Sequence, residues 1–187
     1  RERPAELVVL PETAFPVPIQ VSPPGFFEAL VQQSQARDMH IVSGIFVQEA
    51  DPQSDALLYT NAAIALGPKT TPTLFSHEGL PVYRKHHLVP FGEFIPWGFA
   101  WFVQAMQIPL GEFVRGPSPQ PAWTWAGLRW APNICYEDLF GEELARLWSY
   151  PEGGPHVLLN FSNIAWFGDT IAQHQHLHMA RLRTLEL

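Results

Sequence analysis

The sequence of 187 residues is 47% hydrophobic and 13% aromatic, which suits one globular domain with a sizeable core. Its formal net charge of −7, with no basic run longer than Arg84-Lys85, gives a nucleic-acid partner no electrostatic support and sets that class aside. The single cysteine rules out an internal disulfide and leaves a free thiol, and no apolar run reaches the roughly 18 to 20 residues that span a bilayer.

In chain order, residues 6–10 read as a strand closed by Pro11-Glu12-Thr13-Ala14-Phe15-Pro16, whose prolines forbid helix and hold Glu12 in a stiff loop. Residues 24–38 form an amphipathic helix with Phe27, Leu30 and Val31 inward. Residues 40–47 and 56–67 read as two strands paired in a hairpin across the Asp51-Pro52-Gln53-Ser54 loop. Strand, helix, strand, strand implies an α/β fold with a mixed sheet.

The next stretch is Tyr83-Arg84-Lys85-His86-His87-Leu88-Val89-Pro90-Phe91-Gly92-Glu93-Phe94. Lys85 follows an extended segment, and Lys85 and Glu93 bracket a loop that interleaves charges with apolar side chains. A solvated Arg-Lys pair beside a packed loop is the bland reading; a functional loop is the sharper one. Residues 97–108 are aromatic and uncharged, and Trp97, Phe99, Trp101 and Phe102 fit either core packing or an interfacial arm that covers a site.

Residues 122–125 and 128–134 are expected to form a hairpin across Ala126-Gly127, followed by a short helix over 142–150. Cys135 thus sits in a strand-to-helix turn, where a helix N-terminus can lower a thiol pKa toward neutrality and make it a nucleophile. The competing reading is a small buried hydrophobe. The backbone N–H of Tyr136 is placed to hold an oxyanion, and Glu137 either orients a cation or complements the helix dipole. Residues 156–161 read as another buried strand, and Asp169 or Thr170 is expected to cap a last helix. His174, His176 and His178 invite a metal reading, but only His174 and His178 share a helix face and no third ligand is evident, so no metal is expected.

Glu12, Lys85 and Cys135, each after a separate strand, resemble the Glu-Lys-Cys triad of the nitrilase (carbon-nitrogen hydrolase) superfamily. Leu10-Pro11-Glu12-Thr13-Ala14, the loop from Arg84 to Phe94, Ile134-Cys135-Tyr136-Glu137, and Ser162-Asn163-Ile164-Ala165-Trp166-Phe167-Gly168-Asp169 with Gln175-His176 look like its membrane branch, the apolipoprotein N-acyltransferases. Ile164 departs from that pattern, which has an acidic residue there. The resemblance implies an α-β-β-α sandwich truncated at both ends, with residues 1–187 a partial catalytic domain lacking its transmembrane parts. It implies Cys135 as nucleophile, Glu12 as general base and Lys85 as oxyanion stabiliser, supported by Glu93, Tyr136 and Glu137, with no cofactor. Its implied partners are a phospholipid acyl donor, an apolipoprotein acceptor and the bacterial inner membrane, with the catalytic domain on the periplasmic side. A soluble amidase of the same superfamily and a catalytically silent domain are the rival expectations.

Overall fold

The computed structural model describes residues 5–51, 53–54, 56–71, 80–90, 92–95 and 113–187. The first sheet contains β1 (Leu7–Val9), β2 (His40–Ala50), β3 (Leu57–Leu66) and β4 (Val82–Arg84), in that order. β1 runs parallel to β2, while β3 lies between β2 and β4 and is antiparallel to both. The second sheet contains β5 (Trp123–Trp125), β6 (Leu128–Ile134) and β7 (Val157–Phe161), with β5 antiparallel and β7 parallel to β6.

Strand alternation sorts the side chains into layers. On β2 and β3, Ile41, Ile45, Val47, Ala62, Ile64 and Leu66 point outward and pack with Phe27 and Val31 of α1 (Phe26–Arg37). Val42, Ala63 and Ala65 point the other way, onto Ile134 and Phe161 of the second sheet. The outer face of that sheet, with Ala131 and Leu158, is covered by Leu144 of α2 (Gly141–Ala145) and by Leu147 of the 3-10 turn Arg146–Ser149. The layers are therefore α-β-β-α.

The expected helix over 142–150 is broken: a 3-10 turn spans Cys135–Leu139, and α2 and a second 3-10 turn follow. The last helix, α3 (Ala172–Glu186), has Ile171 at its N-cap with no side-chain cap, and Thr170 Oγ1 only accepts from the Ala172 N–H at 3.4 Å. The expected Asp169 or Thr170 cap is thus not the one formed, because the chain is already helical at Ile171. Among the described residues, no helix is long and apolar enough to cross a membrane.

Candidate active site

Glu12, Lys85 and Cys135 each follow the carboxyl end of a strand, β1, β4 and β6, and these ends lie at one rim of the sandwich. Gly44 on β2 permits the first of these placements. A Cβ there would stand 2.6 Å from the Glu12 Cα and 2.7 Å from the Pro11 oxygen, so only glycine lets the Glu12 loop lie on the strand. Lys85 is pinned from both sides of its backbone, its N–H donating to Asn61 O and its carbonyl accepting from the Gly116 N–H, both at 2.8 Å.

The Lys85 ammonium is 1% exposed and donates to Glu12 at 3.2 Å and to Glu93 at 3.0 Å. A buried ammonium loses its hydration, and only close, well-bonded carboxylates offset that cost. Burial by itself would lower the Lys85 pKa, but Glu12 and Glu93 outweigh it and the net direction is upward. The group is held as a cation.

Asn61, in the middle of β3, ties the two carboxylates together: its Nδ2 donates to Glu12 Oε1 at 2.8 Å and to Glu93 Oε1 at 2.6 Å. Carboxylates only accept, so the amide must face them with its nitrogen, which leaves Asn61 Oδ1 buried without a partner among the described residues. The remaining oxygens accept from the backbone, Glu12 Oε2 from the Asn163 N–H at 3.1 Å and Glu93 Oε2 from the Val89 N–H at 2.8 Å.

Cys135 has φ 57, a left-handed conformation that costs a non-glycine residue about 1 to 2 kcal/mol. Its thiol does not follow the sequence expectation. Burial first, and then the negative charge of Glu12, push it from an ordinary value of 9.0 up to about 11, against the opposing pull of Lys85 and the Tyr136 N–H. The helical turn that follows is only a short 3-10 segment, so its dipole is no match for burial beside two carboxylates and one ammonium.

Glu137 does not orient a cation. Its Oε1 accepts from the His86 and His87 N–H groups at 2.7 and 3.0 Å, and its Oε2 from the Ile134 N–H at 2.7 Å and the Tyr83 hydroxyl at 2.8 Å. Burial raises its pKa, opposed by these four donors. The result is a clamp that joins the end of β6, just before Cys135, to the backbone just after Lys85. Tyr136 donates its hydroxyl to Leu88 O at 2.7 Å and presents its ring 5.8 Å from the Lys85 ammonium.

Trp97, Phe99, Trp101 and Phe102 lie outside the described residues. Among the described residues, metal-like spacing occurs at His86, His87 and Glu143, one ligand atom of each lying within 4.8 Å of the others. His87 Nε2 already bonds Glu143 at 2.7 Å, and His86 Nδ1 donates to Gly116 O at 2.7 Å. Asn61, Tyr83 and Asn163 N–H were not singled out by the sequence reading. For Asn61 a signal existed, an amide side chain within the otherwise apolar run that follows Thr60, where a buried polar group needs partners.

The chain belongs to the carbon-nitrogen hydrolase family, whose model matches residues 1–187. Among curated relatives, the proteins named apolipoprotein N-acyltransferase of Ralstonia nicotianae and Verminephrobacter eiseniae are both 48% identical to it, over 99% and 97% of this chain. The chain spans about a third of their length, 33% and 32% respectively. Among solved structures, the C. elegans NitFhit protein superposes with a TM-score of 0.60 at 18% identity, covering 95% of this chain and 40% of the other. At that identity the likeness is one of fold.

Proposed function

We propose that this chain is the catalytic portion of an acyltransferase. It moves a fatty acyl group from a phospholipid, through a thioester on Cys135, to the α-amine of the diacylglyceryl-cysteine that begins an apolipoprotein. The observation that carries the reading is the Lys85 ammonium, buried between Glu12 and Glu93 and electrostatically coupled to the Cys135 thiol. The 48% identity to relatives bearing the acyltransferase name supports this substrate class.

In the first step, the Cys135 sulfur attacks the ester carbonyl while Glu12 takes the thiol proton. A thiol at about 11 is neutral at rest, so the base must act during attack rather than before it. Lys85 and the Tyr136 N–H stabilise the tetrahedral oxyanion. Collapse breaks the ester C–O bond, and the lysophospholipid alkoxide leaves with the proton from Glu12. In the second step the amine attacks the thioester and gives its proton to Glu12. The C–S bond then breaks and the sulfur recovers that proton.

Glu93 and Asn61 hold Glu12 and Lys85 in register, and Glu137 holds the two loops together. In this reading Trp97, Phe99, Trp101 and Phe102 serve as a membrane-facing arm, and the protein works at the bacterial inner membrane from the periplasmic side. A hydrolytic amidase would use the same groups, and the family's name favours it as the second reading. The complete natural protein, given vesicles with a labelled acyl chain and an amine-bearing diacylglyceryl lipopeptide, separates the two. N-acylated peptide as the main labelled product, lost in Cys135→Ser, is expected; labelled free fatty acid alone would overturn the acyltransferase reading.

A further inference from the structure

A hydrogen-bonded chain reaches the backbone of Cys135 from α3. Asn160 Nδ2 on β7 donates to the Cys135 carbonyl at 2.8 Å and also to Asn133 Oδ1. Ser162 donates its hydroxyl to Asn160 Oδ1 at 2.6 Å, and His176 Nε2 lies 3.0 Å from the same hydroxyl oxygen. These contacts fix the polarity of the chain. Asn160 spends its N–H groups on acceptors, so Ser162 must be the donor to its oxygen, and His176 Nε2–H must be the donor to Ser162.

The last hydrogen bond of the chain is the one at His176, whose other ring nitrogen faces Asp138, on the 3-10 turn that begins with Cys135 itself. Asp138 is 2% exposed, among the described residues no other residue hydrogen-bonds its carboxylate oxygens, and His176 Nδ1 stands 3.9 Å from it. Burial raises its pKa, while His176 and Arg183, both on α3, draw it down. A buried carboxylate so poorly bonded is costly, and its nearest compensation is the same imidazole that holds Ser162.

The consequence lies in the peptide unit between Cys135 and Tyr136. A trans peptide is planar, with its C=O and N–H pointing in opposite directions, so a hydrogen bond on the Cys135 oxygen also aims the Tyr136 N–H. We propose that Asn160, Ser162, His176 and Asp138 form a positioning relay that fixes this peptide plane and so holds the Tyr136 N–H as an oxyanion donor. None of the four touches substrate in this scheme. The proposal rests on the reading of Cys135 as nucleophile.

The test uses the complete natural protein and p-nitrophenyl butyrate as the probe, with the pre-steady-state burst of nitrophenolate reporting acylation. Ser162→Ala is expected to slow the burst about tenfold at unchanged half-saturating ester, because an oxyanion donor acts in the transition state. Ser162→Thr, which keeps the hydroxyl, is expected to restore the rate. Asn160→Asp, which removes both donors, is expected to cost about 100-fold. Alkylation of Cys135 by iodoacetamide, which forms no oxyanion, should stay within about threefold of wild type in Ser162→Ala.

Wild-type burst rates in Ser162→Ala, or equal losses in Ser162→Ala and Ser162→Thr with a lowered unfolding midpoint, would overturn the relay. A Cys135→Ala control separates this from the underlying reading. If it abolishes the burst while Ser162→Ala leaves it intact, the relay alone fails; if it retains the burst, the nucleophile and the relay fall together.

Discussion

Replacing Asn61 by leucine removes the one amide that bonds both buried carboxylates. Two hydrogen bonds to charged acceptors, at 2.8 and 2.6 Å, are lost, which at about 1.5 to 3 kcal/mol each is about 3 to 6 kcal/mol. Against this, Asn61 Oδ1 is buried without a partner, and deleting an unsatisfied acceptor returns about 1 to 3 kcal/mol. Leucine keeps the branched skeleton of asparagine but is bulkier, so no cavity is added and any overpacking acts in the same direction as the lost hydrogen bonds. The expected net destabilisation lies between about 0 and 5 kcal/mol and centres on about 2.5 kcal/mol, a large share of the stability of an ordinary domain. Urea unfolding followed by tryptophan fluorescence measures it, as a fall in midpoint at unchanged slope. Acyl transfer should fall as well, since Glu12 and Glu93 would be held together only by Lys85. A midpoint equal to wild type with full activity would show that Asn61 does not organise the carboxylates and would refute the reasoning.

The Cys135 thiol at about 11 predicts that its alkylation by iodoacetamide in the unliganded protein climbs about tenfold per pH unit above neutrality and levels only near 11; a plateau below 9 would contradict it. The sign for stability follows from the same shift: a folded value raised above 9.0 adds stability that is fully present below 9 and is lost as pH rises through 11. Glu137→Gln turns one acceptor oxygen into a donor facing two donors, so it should cost about 3 to 6 kcal/mol in thermal unfolding, whereas Glu143→Gln, at a partly exposed pair, should cost about 1 kcal/mol or less. Gly44→Ala should abolish acyl transfer while circular dichroism stays that of a folded α/β protein, because the added Cβ displaces the Glu12 loop rather than the core.

Much of the frame was legible because it depends on local pattern. The β-branched and small residues of 40–47 and 56–67, either side of the loop from Asp51 to Ser54, indicated the central hairpin, and the Ala126-Gly127 turn indicated the pairing of β5 with β6. Proline punctuation and an apolar run placed Glu12 at a strand end, and the same logic placed Lys85 and Cys135. What escaped depends on contacts between segments far apart in the chain. Asn61 looks like one polar residue in an apolar strand until Glu12 and Glu93 arrive beside it from 49 and 32 positions away. The thiol pKa was misjudged for the same reason, since a helix-terminus argument is local and the burial and carboxylates that outweigh it are not. Glu137 was legible as important but not as a clamp, because three of its four donors, Tyr83, His86 and His87, come from a segment some 50 positions earlier in the chain. His176 read only as one of three closely spaced histidines, whereas its ring nitrogens face Ser162 and Asp138.

Intact-protein mass spectrometry of the complete protein after brief exposure to phospholipid vesicles, with no amine acceptor present, tests the thioester directly. A mass increase of one acyl chain is expected, mapped to the peptide containing Cys135, removed by hydroxylamine and absent in Cys135→Ser. Adding the lipopeptide amine should then discharge the adduct into N-acylated peptide. Label transfer to the amine at wild-type rate in Cys135→Ser, with no acyl adduct ever found on Cys135, would contradict the thioester route.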